Sequence, residues 1–249
     1  MPPSKTFTIV VIGAGLSGVE VAAQMQEYFN RYTKENVLRC GRIHIKLIAK
    51  HILKTQSSKV IAKVTRRLKH LGVELLAHHV SSIEEQHVVL DTGDTINFDF
   101  TIVTGGIAPS PFIEQLAYKK NTHGFLAVDA YLRLSPTLFA IGDAAALHNR
   151  AGEAVAPTAQ SAEASGTIAA NNIMASINEQ PLQRAHIQLR GMAIALGGRY
   201  ALVVTPFGLC IGGVAGWLIK QAIEKYYKVR LKRQAARVHN IHDVCPQPG

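Results

Sequence analysis

The sequence predicts an α/β fold built on a parallel sheet. Two continuous apolar runs rich in β-branched residues, at positions 7–12 and 43–48, are typical of strands buried on both faces. The segment between them, from residue 19 to 29, carries its apolar side chains on one side of a helix. Strand, helix and strand in this order form a β-α-β unit, and such a unit requires parallel strands.

Local signals predict the elements that follow. Ser57 is placed to cap a second helix, and Gly72 to close it in the left-handed conformation. The basic residues of this helix are interpreted as a solvated face, and they are Lys59, Lys63, Arg66, Arg67 and Lys69. Buried or short strands are expected at 73–76, 80–83, 87–90, 99–103 and 138–141, and a helix at 158–174.

The C-terminal part of the sequence differs in character. Positions 200–219 hold no charged residue, which raises the alternative of one membrane-spanning helix. Pro206 and the four glycines in this stretch argue against that alternative. Trp217 is expected to open a helix whose second half is densely basic, a pattern typical of a segment that lies on an anionic membrane surface.

Composition limits the classes of partner. The chain has 249 residues, of which 47% are hydrophobic, so one or two domains with buried cores are expected. Its formal net charge of +10 calls for nucleic acid, anionic lipid or a phosphate-bearing cofactor. Nucleic acid ranks last because no recognisable reading module is present. The three cysteines are far apart, so no disulfide framework is expected, and no secretory signal is evident.

The first chemical motif is a glycine-rich turn. Gly13, Gly15 and Gly18 form a G-x-G-x-x-G pattern between a predicted strand and a predicted helix. The first glycine permits the tight turn, the second lets the backbone approach a pyrophosphate, and the third allows close helix–strand packing. The helix N-terminus then offers N–H groups and partial positive charge to the phosphates. In this setting the pattern predicts dinucleotide binding.

The end of the second strand bears on the choice of nucleotide. Sites for NAD hold an acidic residue there, bonded to the ribose 2′-hydroxyl, whereas this sequence has Ala49 followed by Lys50. Either NADPH is accepted with Lys50 facing its 2′-phosphate, or the site has degraded. Arg66 or Arg67 could also supply positive charge, and all three side chains could be ordinary solvated cations.

A second motif follows the strand expected at 138–141. Around Gly142, Asp143 and Ala144 the sequence resembles the FAD-dependent pyridine nucleotide-disulfide oxidoreductases. The resemblance implies that Asp143 binds the ribityl chain of FAD, with Gly142 and Ala144 beside the cofactor. It also implies that the following helix points its N-terminus at the flavin pyrophosphate. Glu20 is placed near the nicotinamide, and Gly105 is placed in a cofactor-binding crossover to the flavin domain.

A third motif resembles one branch of that family, the type II NADH dehydrogenases. Residues 156–162 resemble the segment that forms their quinone pocket, which implies that Gln160 faces the quinone. The family pattern has a second glutamine where this sequence has Ala164. Residues 191–197 resemble a strand of the last domain of these enzymes, and the basic helix resembles their membrane-docking end.

Three domains are expected from these observations. They are an NAD(P)H-binding domain at 1–105, the C-terminal part of an FAD-binding domain at 106–185 and a membrane-associating segment at 186–249. In the family, a separate glycine-rich FAD-binding unit precedes the nicotinamide domain, and this sequence begins at what resembles the second such unit. A chain or fragment that supplies the first FAD motif is therefore one of the expected partners.

The expected function is that of an FAD-dependent NAD(P)H:quinone oxidoreductase, peripheral on the cytoplasmic face of a membrane. Hydride passes from nicotinamide to flavin in such enzymes, and electrons then pass to the quinone. The alternative is a truncated, non-catalytic remnant that binds nucleotide and membrane, or one half of a split flavoprotein. No metal site is expected, because His239, His242 and Cys245 are loosely spaced on a tail.

Overall fold

In the computed structural model, residues 6–34 and 43–242 are described, and they belong to two compact units. The first unit combines the residues up to Gly105 with those from Gly191 onward, and the second is Gly106–Arg190. The chain therefore leaves the first unit and later returns to it. Cys245 and the side chains of His239 and His242 lie outside the described part.

The secondary structure alternates strands and helices and then adds a small C-terminal sheet. In chain order the elements are β1 (Phe7–Ile12), α1 (Leu16–Lys34), β2 (Ile43–Ile48), α2 (Ser58–Leu71), β3 (Glu74–Leu76), β4 (Val80–Ile83), β5 (His87–Leu90), β6 (Thr95–Asn97), β7 (Phe100–Val103), α3 (Pro111–Gln115), β8 (Arg133–Ser135), β9 (Leu138–Phe139), a 3-10 turn (Gly142–Ala144), α4 (Ala159–Ile177), β10 (Met192–Ala195), β11 (Ala201–Val204), β12 (Cys210–Ile211) and α5 (Gly213–His242). The predicted α/β class is confirmed.

A four-stranded parallel sheet with the order β3-β2-β1-β7 forms the centre of the first unit. Val10, Val11, Ile45 and Ile48 of its two middle strands are fully buried, as the continuous apolar runs predict. Successive side chains of a strand face opposite sides of the sheet. Val11 and Ile45 therefore pack with helices α1 and α2, while Val10 and Ile48 pack with the β4-β5-β6 meander.

Helix α2 has the bounds that the sequence predicts. Gly72 follows it with a φ of 94°, and its N–H bonds to carbonyls of the last turn. Ser57 precedes the helix, but its side chain makes no capping hydrogen bond, and its carbonyl instead accepts N–H groups of the first turn. Helix α1 is longer than predicted at both ends, because polar residues beyond the apolar stripe continue it to Lys34.

The C-terminal strands β10, β11 and β12 form an antiparallel sheet within the same unit. Ile194, Leu196 and Leu202 are buried in the core that α1 and α2 share with the parallel sheet. The β10–β11 turn approaches α1 closely, and a Cβ on Gly197 would lie 2.9 Å from the carbonyl oxygen of Ala23. The expected strand at 191–197 is confirmed as β10.

Two basic residues of α2 hold this C-terminal sheet in place. The guanidinium of Arg67 donates to two carbonyls of the β10–β11 turn, at 3.0 and 3.3 Å, and lies 4.5 Å from the ring centroid of Tyr200. Lys63 Nζ donates to a carbonyl of β12 at 3.4 Å. The interpretation of this face as solvated is therefore wrong for these two side chains, because local periodicity does not reveal partners that lie 129 and 147 residues away.

Helix α5 begins at Gly213 and not at Trp217 as the sequence predicts. Gly213 has a φ of +80°, so the chain can turn out of β12 directly into the helix. Gly216 packs against the sheet, and a Cβ there would lie 2.4 Å from the carbonyl oxygen of Ala201. Positions 200–219 contain β11 and β12, and no helix within residues 6–34 and 43–242 is long and apolar enough to cross a membrane.

The second unit has a core of its own. Leu126, Leu132, Leu147 and Ile187 are its main buried side chains. Asn172 of α4 is also fully buried, and its side chain donates to two loop carbonyls and accepts one loop N–H. A buried amide is stable only when it is hydrogen-bonded in this way, so Asn172 fixes the loops that close the unit onto α4.

The strands of the second unit are shorter than the sequence predicts. The run at 138–141 forms only the two-residue strand β9, and Leu138 and Ile141 are exposed, so the expected buried strand is wrong. Residues 124–129 form isolated bridges through Leu126 and no named strand within the described chain. Asp129 organises the following turn by accepting the backbone N–H groups of Tyr131 and Arg133. Burial raises the pKa of this carboxyl, but these hydrogen bonds and the Arg133 guanidinium lower its pKa by more.

Replacement of Arg67 by Met should weaken the attachment of the C-terminal sheet. The aliphatic stem remains, but two hydrogen bonds to carbonyls and the contact with Tyr200 are lost. We expect the free energy of unfolding, measured by urea denaturation, to fall by about 1–3 kcal/mol. The control is Arg66→Met, an exposed neighbour, with an expected change within about 0.5 kcal/mol. Equal effects of the two variants would contradict the role of Arg67.

Candidate functional site

The glycine-rich turn joins β1 to α1 at the carboxyl end of the parallel sheet. Gly13 has a φ of +100°, and a Cβ there would lie 2.6 Å from the carbonyl oxygen of Thr104. A Cβ on Gly18 would lie 1.9 Å from the carbonyl oxygen of Gly13. Side chains do not tolerate such separations, so only glycine fits at either position. The tight turn and the close packing expected from the sequence both occur here.

Thr104 holds this turn from the neighbouring strand. It follows β7, and its Oγ1 lies 3.0 Å from the carbonyl oxygens of both Ile12 and Gly13. Its own N–H donates to the Ile12 carbonyl at 2.8 Å. The role of Thr104 in holding this turn was not predicted from the sequence. The available signal was the position of a small hydroxyl residue at the end of β7, because the carboxyl ends of parallel strands meet at one edge.

Gly15 differs from the other two glycines because it faces open space. It is exposed, and no atom outside its neighbours lies within 4 Å of a Cβ built there. Helix α1 starts at the next residue, Leu16, and its first N–H groups and the positive end of its dipole face the same edge of the sheet. This arrangement can bind the pyrophosphate of a dinucleotide, because a phosphate can approach the backbone without obstruction.

A pocket of about 440 Å³ lies beside this turn, beyond the end of β2. Ala14 of the glycine-rich turn forms part of its wall, and the exposed side chain of Lys50 lines it as well. The structure therefore brings Lys50 next to the glycine-rich turn. Two further residues of the pocket wall, His51 and Lys54, were not predicted from the sequence. They lie in a loop whose conformation no local motif specifies.

Glu20 lies in α1 and contacts the C-terminal sheet. Its Oε1 accepts the backbone N–H of Ala195 at 2.7 Å, and its side chain is half-buried. This charge-assisted hydrogen bond joins the helix that follows the glycine-rich turn to β10. A structural role of Glu20 is thus evident, while its expected place near the nicotinamide stays a prediction.

The residues expected to contact flavin lie in the second unit. Gly142 has a φ of +57°, and its N–H donates to the buried hydroxyl of Ser165 on α4 at 3.0 Å. Asp143 is exposed, and Ala144 completes a 3-10 turn. The expected helix does not follow at once, because α4 begins only at Ala159. Its first turns nevertheless pack against Gly142, as the hydrogen bond that Gly142 donates to Ser165 shows.

Gln160 occupies the first turn of α4, also in the second unit. It is exposed, and its Oε1 accepts the backbone N–H of Arg190 at 2.9 Å. A capping box between Thr158 and Ser161 fixes the start of this helix. The role of Gln160 toward a quinone and that of the exposed Gly105 toward a cofactor stay predictions. Across the described residues, no cluster of three or more His, Cys, Asp or Glu side chains could hold a metal ion.

Comparison with known sequences identifies the family. A sequence profile of the pyridine nucleotide-disulphide oxidoreductases matches residues 3–166, a span that includes the glycine-rich turn and the Gly142–Ala144 turn. The chain belongs to the pyridine nucleotide-disulphide oxidoreductase family. The resemblance drawn from the sequence is thereby confirmed. In this family member, the two motifs that led to it lie in different compact units.

Similar proteins include several with names that specify a reaction. The demethylphylloquinone reductase NdbB of Synechocystis is 29% identical over 90% of this chain and 54% of its own length. A probable NADH dehydrogenase of Dictyostelium discoideum is 24% identical over 82% of this chain and 46% of its own length. An internal alternative NAD(P)H-ubiquinone oxidoreductase of Arabidopsis thaliana is 26% identical, with 84% and 45% covered. This family member thus spans about half the length of these relatives.

A solved structure has the same fold. NDH2 of Plasmodium falciparum in complex with NADH superimposes with a TM-score of 0.72 at 15% identity. The match covers 86% of this chain and 61% of the other. At this level of identity the likeness concerns the fold of the family, and the chemistry of the chain has to be argued from its own residues.

Gly18 and Gly15 should respond differently to a methyl group. Gly18→Ala forces a Cβ into the Gly13 carbonyl, so we expect the free energy of unfolding to fall by at least about 2 kcal/mol. Gly15→Ala places its methyl in open space and should leave the thermal unfolding midpoint of the chain close to that of the unmodified protein. Scanning calorimetry of both variants measures this difference. A stable Gly18→Ala variant would show that the turn is looser than described.

Proposed function

We propose that the chain acts in an FAD-dependent NAD(P)H:quinone oxidoreductase. The observation that carries this proposal is the glycine-rich turn, in which Gly15 leaves the backbone open at the N-terminus of α1 beside a pocket of about 440 Å³. The names of the relatives support it, because they describe oxidoreductases that act on NAD(P)H or on quinones. The proposed domains are the nucleotide-binding part at 1–105, the flavin part at 106–185 and the membrane-associating segment at 186–249.

The residues of the first unit fit a nicotinamide dinucleotide. Gly13 and Gly18 hold the turn closed, Gly15 admits the pyrophosphate, and the dipole of α1 favours its negative charge. The pocket beside Lys50 has the apolar walls that an adenine ring requires. When bound, this nucleotide supplies the hydride. The protein orients it, and we propose that Glu20 fixes the N-terminal turns of α1 while lying near the nicotinamide.

The residues around Gly142 fit the ribityl and pyrophosphate part of a flavin cofactor. The N–H of Gly142 donates to the Ser165 hydroxyl, which fixes the backbone at a residue without a side chain. Asp143 is exposed in the 3-10 turn that follows β9, where a carboxylate can accept hydrogen bonds from ribityl hydroxyls. Ala144 and Gly105 are proposed to lie beside the cofactor. When bound, FAD supplies the acceptor for the hydride and the donor of electrons to the quinone.

Gln160 is the proposed quinone residue. It is exposed on the first turn of α4, and the N–H of Arg190 engages one side of its amide through Oε1. The amide NH₂ of a glutamine can donate to a quinone carbonyl while the oxygen remains bonded in this way. Ala164 replaces the second glutamine of the family pattern, so the proposed contact with the quinone rests on Gln160.

The surface of α5 supports peripheral attachment to the cytoplasmic face of an anionic membrane. Apolar side chains of α5 are exposed around its circumference, among them Val214, Leu218, Ile223, Tyr226 and Val229. Phe207, in the β11–β12 loop, is 98% exposed. Basic side chains are interspersed with these apolar ones along the helix, and they are Lys220, Lys225, Lys228, Arg230, Lys232 and Arg233. Apolar side chains can enter the acyl boundary while these cations meet anionic headgroups.

A second candidate is a protein that binds nucleotide and membrane but needs another segment or chain for its flavin. The chain spans about half the length of its relatives. The second unit also exposes large apolar side chains, including Phe112 and Ile177 at 67% and 69%. Exposed apolar surface of this kind marks a contact with another polypeptide. A non-catalytic protein and one half of a split flavoprotein are the two forms that this candidate takes.

An absorption spectrum distinguishes these candidates. Protein purified from membranes should show a flavin band that NADH or NADPH bleaches and that a soluble quinone restores under anaerobic conditions. Asp143→Ala should lower FAD retention at least about tenfold, since a charge-assisted hydrogen bond contributes about 1.5–3 kcal/mol. The exposed Glu85→Ala is the control and should retain FAD. Absence of flavin under every condition of FAD addition would support the second candidate instead.

Binding to vesicles tests the proposed membrane surface. With phosphatidylserine vesicles, the double variant Lys225→Gln and Lys232→Gln should lose about thirtyfold in partition coefficient, at about 1 kcal/mol per lysine. Leu218→Asp should also weaken binding without a change in stability, because Leu218 is 56% exposed. The control Lys59→Gln lies on the exposed face of α2 and should bind normally. Unchanged binding by both α5 variants would exclude this surface.

A further inference from the structure

The loop between β2 and α2 is fixed against the glycine-rich turn. Leu53 donates its N–H to the carbonyl of Ala14 at 2.9 Å, and its side chain is buried in the core of the first unit. Its φ of 46° lies in the left-handed region, which is unfavourable for a leucine and persists only where the surroundings determine it. Ala49 and Gln56, on either side, donate further backbone hydrogen bonds. The backbone that carries the neighbouring side chains is therefore held in one conformation.

Two of those side chains are lysines and the third is a histidine. Lys50, His51 and Lys54 all line the 440 Å³ pocket beside Ala14. Its remaining walls are apolar, and no carboxylate belongs to the lining among the described residues. The remaining lining residues are Leu47, Ala49, Ile52, Ile61, Leu75, Leu76 and Ala77. The pocket thus offers flat apolar walls to a ring and concentrated positive charge at its mouth.

Glu74 is the acidic residue nearest in sequence to a residue of the pocket wall, but its carboxylate is engaged elsewhere. Glu74 precedes Leu75 in β3, and its carboxylate pairs with Lys46 at 3.1 Å and with His44 at 3.4 Å. A site for NAD instead offers a carboxylate to the ribose 2′-hydroxyl, and such a group repels a 2′-phosphate. Here the end of β2 continues as Ala49 and Lys50. The pocket lacks the group that favours NADH and has three that favour an added phosphate.

We propose that this pocket selects the 2′-phosphorylated adenosine of NADPH over that of NADH, with Lys50, His51 and Lys54 as the specificity-determining residues. The inference rests on the proposed nucleotide function of the same site. A phosphate monoester carries a charge of about −1.5 to −2 at neutral pH and has several strong acceptor oxygens. Charge-assisted hydrogen bonds from the two ammonium groups and the imidazole ring stabilise it, whereas a neutral hydroxyl gains little from them.

The direct test is the affinity of the full chain for NADPH and NADH, measured by isothermal titration calorimetry. Adenosine 2′,5′-bisphosphate and adenosine 5′-monophosphate serve as probes of the pocket alone. We expect each 2′-phosphorylated compound to bind at least about tenfold more tightly than its partner, as one additional charge-assisted hydrogen bond allows. The ratio should fall when the salt concentration rises, because ions screen exposed charges.

Variants identify the residues responsible. Lys54→Gln should lower the affinity for NADPH at least about threefold and leave the affinity for NADH unchanged. Lys50→Glu should reverse the preference, because it supplies the acidic residue that favours NADH. Lys59→Gln, an exposed lysine of α2 outside the pocket, should change neither affinity. Thermal unfolding of each variant checks that it folds, since these side chains are exposed.

The outcomes separate the two proposals. Equal affinities for NADPH and NADH, or a Lys59→Gln effect as large as that of Lys54→Gln, would overturn the selectivity and leave the proposed nucleotide function intact. Failure of both nucleotides to bind a folded chain would overturn the nucleotide function and the selectivity together. A preference for NADPH that Lys50→Glu does not alter would also contradict the assignment of Lys50.

Discussion

The close approach of three backbone segments at the carboxyl end of the sheet governs the rest of the first unit. Gly18 has no space for a side chain above the Gly13 carbonyl, and Thr104 bonds the same carbonyl from the neighbouring strand. Helix α1 must therefore start directly beyond β1, with its N-terminus at the sheet edge. That placement leaves Gly15 open and brings Glu20 to β10. The open backbone of the candidate nucleotide site and the attachment of the C-terminal sheet thus follow from one steric constraint.

The predictable elements are those in which a local pattern has a single structural solution. The strands β1 and β2 are continuous apolar runs, and Gly72 ends α2 because only glycine readily adopts its backbone conformation. The buried strand predicted at 138–141 was wrong because strands of two or three residues are too short for periodicity to indicate burial. The start of α5 was predicted four residues too late, since a glycine such as Gly213 at the start of a helix resembles one in a loop. Solvation was wrongly assigned to Arg67 because its partners are distant in the sequence.

In the candidate site, too, only the residues that belong to a local motif could be predicted from the sequence. Its glycines and Lys50 stand at fixed offsets from strand ends, so a motif finds them without any knowledge of tertiary structure. Thr104 follows a strand that lies far along the chain, and only the order of strands in the sheet places it against the turn. His51 and Lys54 line the pocket because of the conformation around Leu53, which depends on burial and on the Ala14 carbonyl. Contacts of this kind are set by packing and leave no local sequence signal.

The return of the chain to the first unit at Gly191 has a thermodynamic consequence. The glycine-rich turn and α5 belong to one compact unit, joined through Glu20 and Arg67. A ligand that binds only the folded form raises the free energy of unfolding of the unit to which it binds. Nucleotide bound at the proposed site and lipid bound at the proposed surface of α5 would therefore stabilise the same unit. By linkage, lipid bound at the proposed surface of α5 would raise the free energy of unfolding of the unit that carries the candidate nucleotide site.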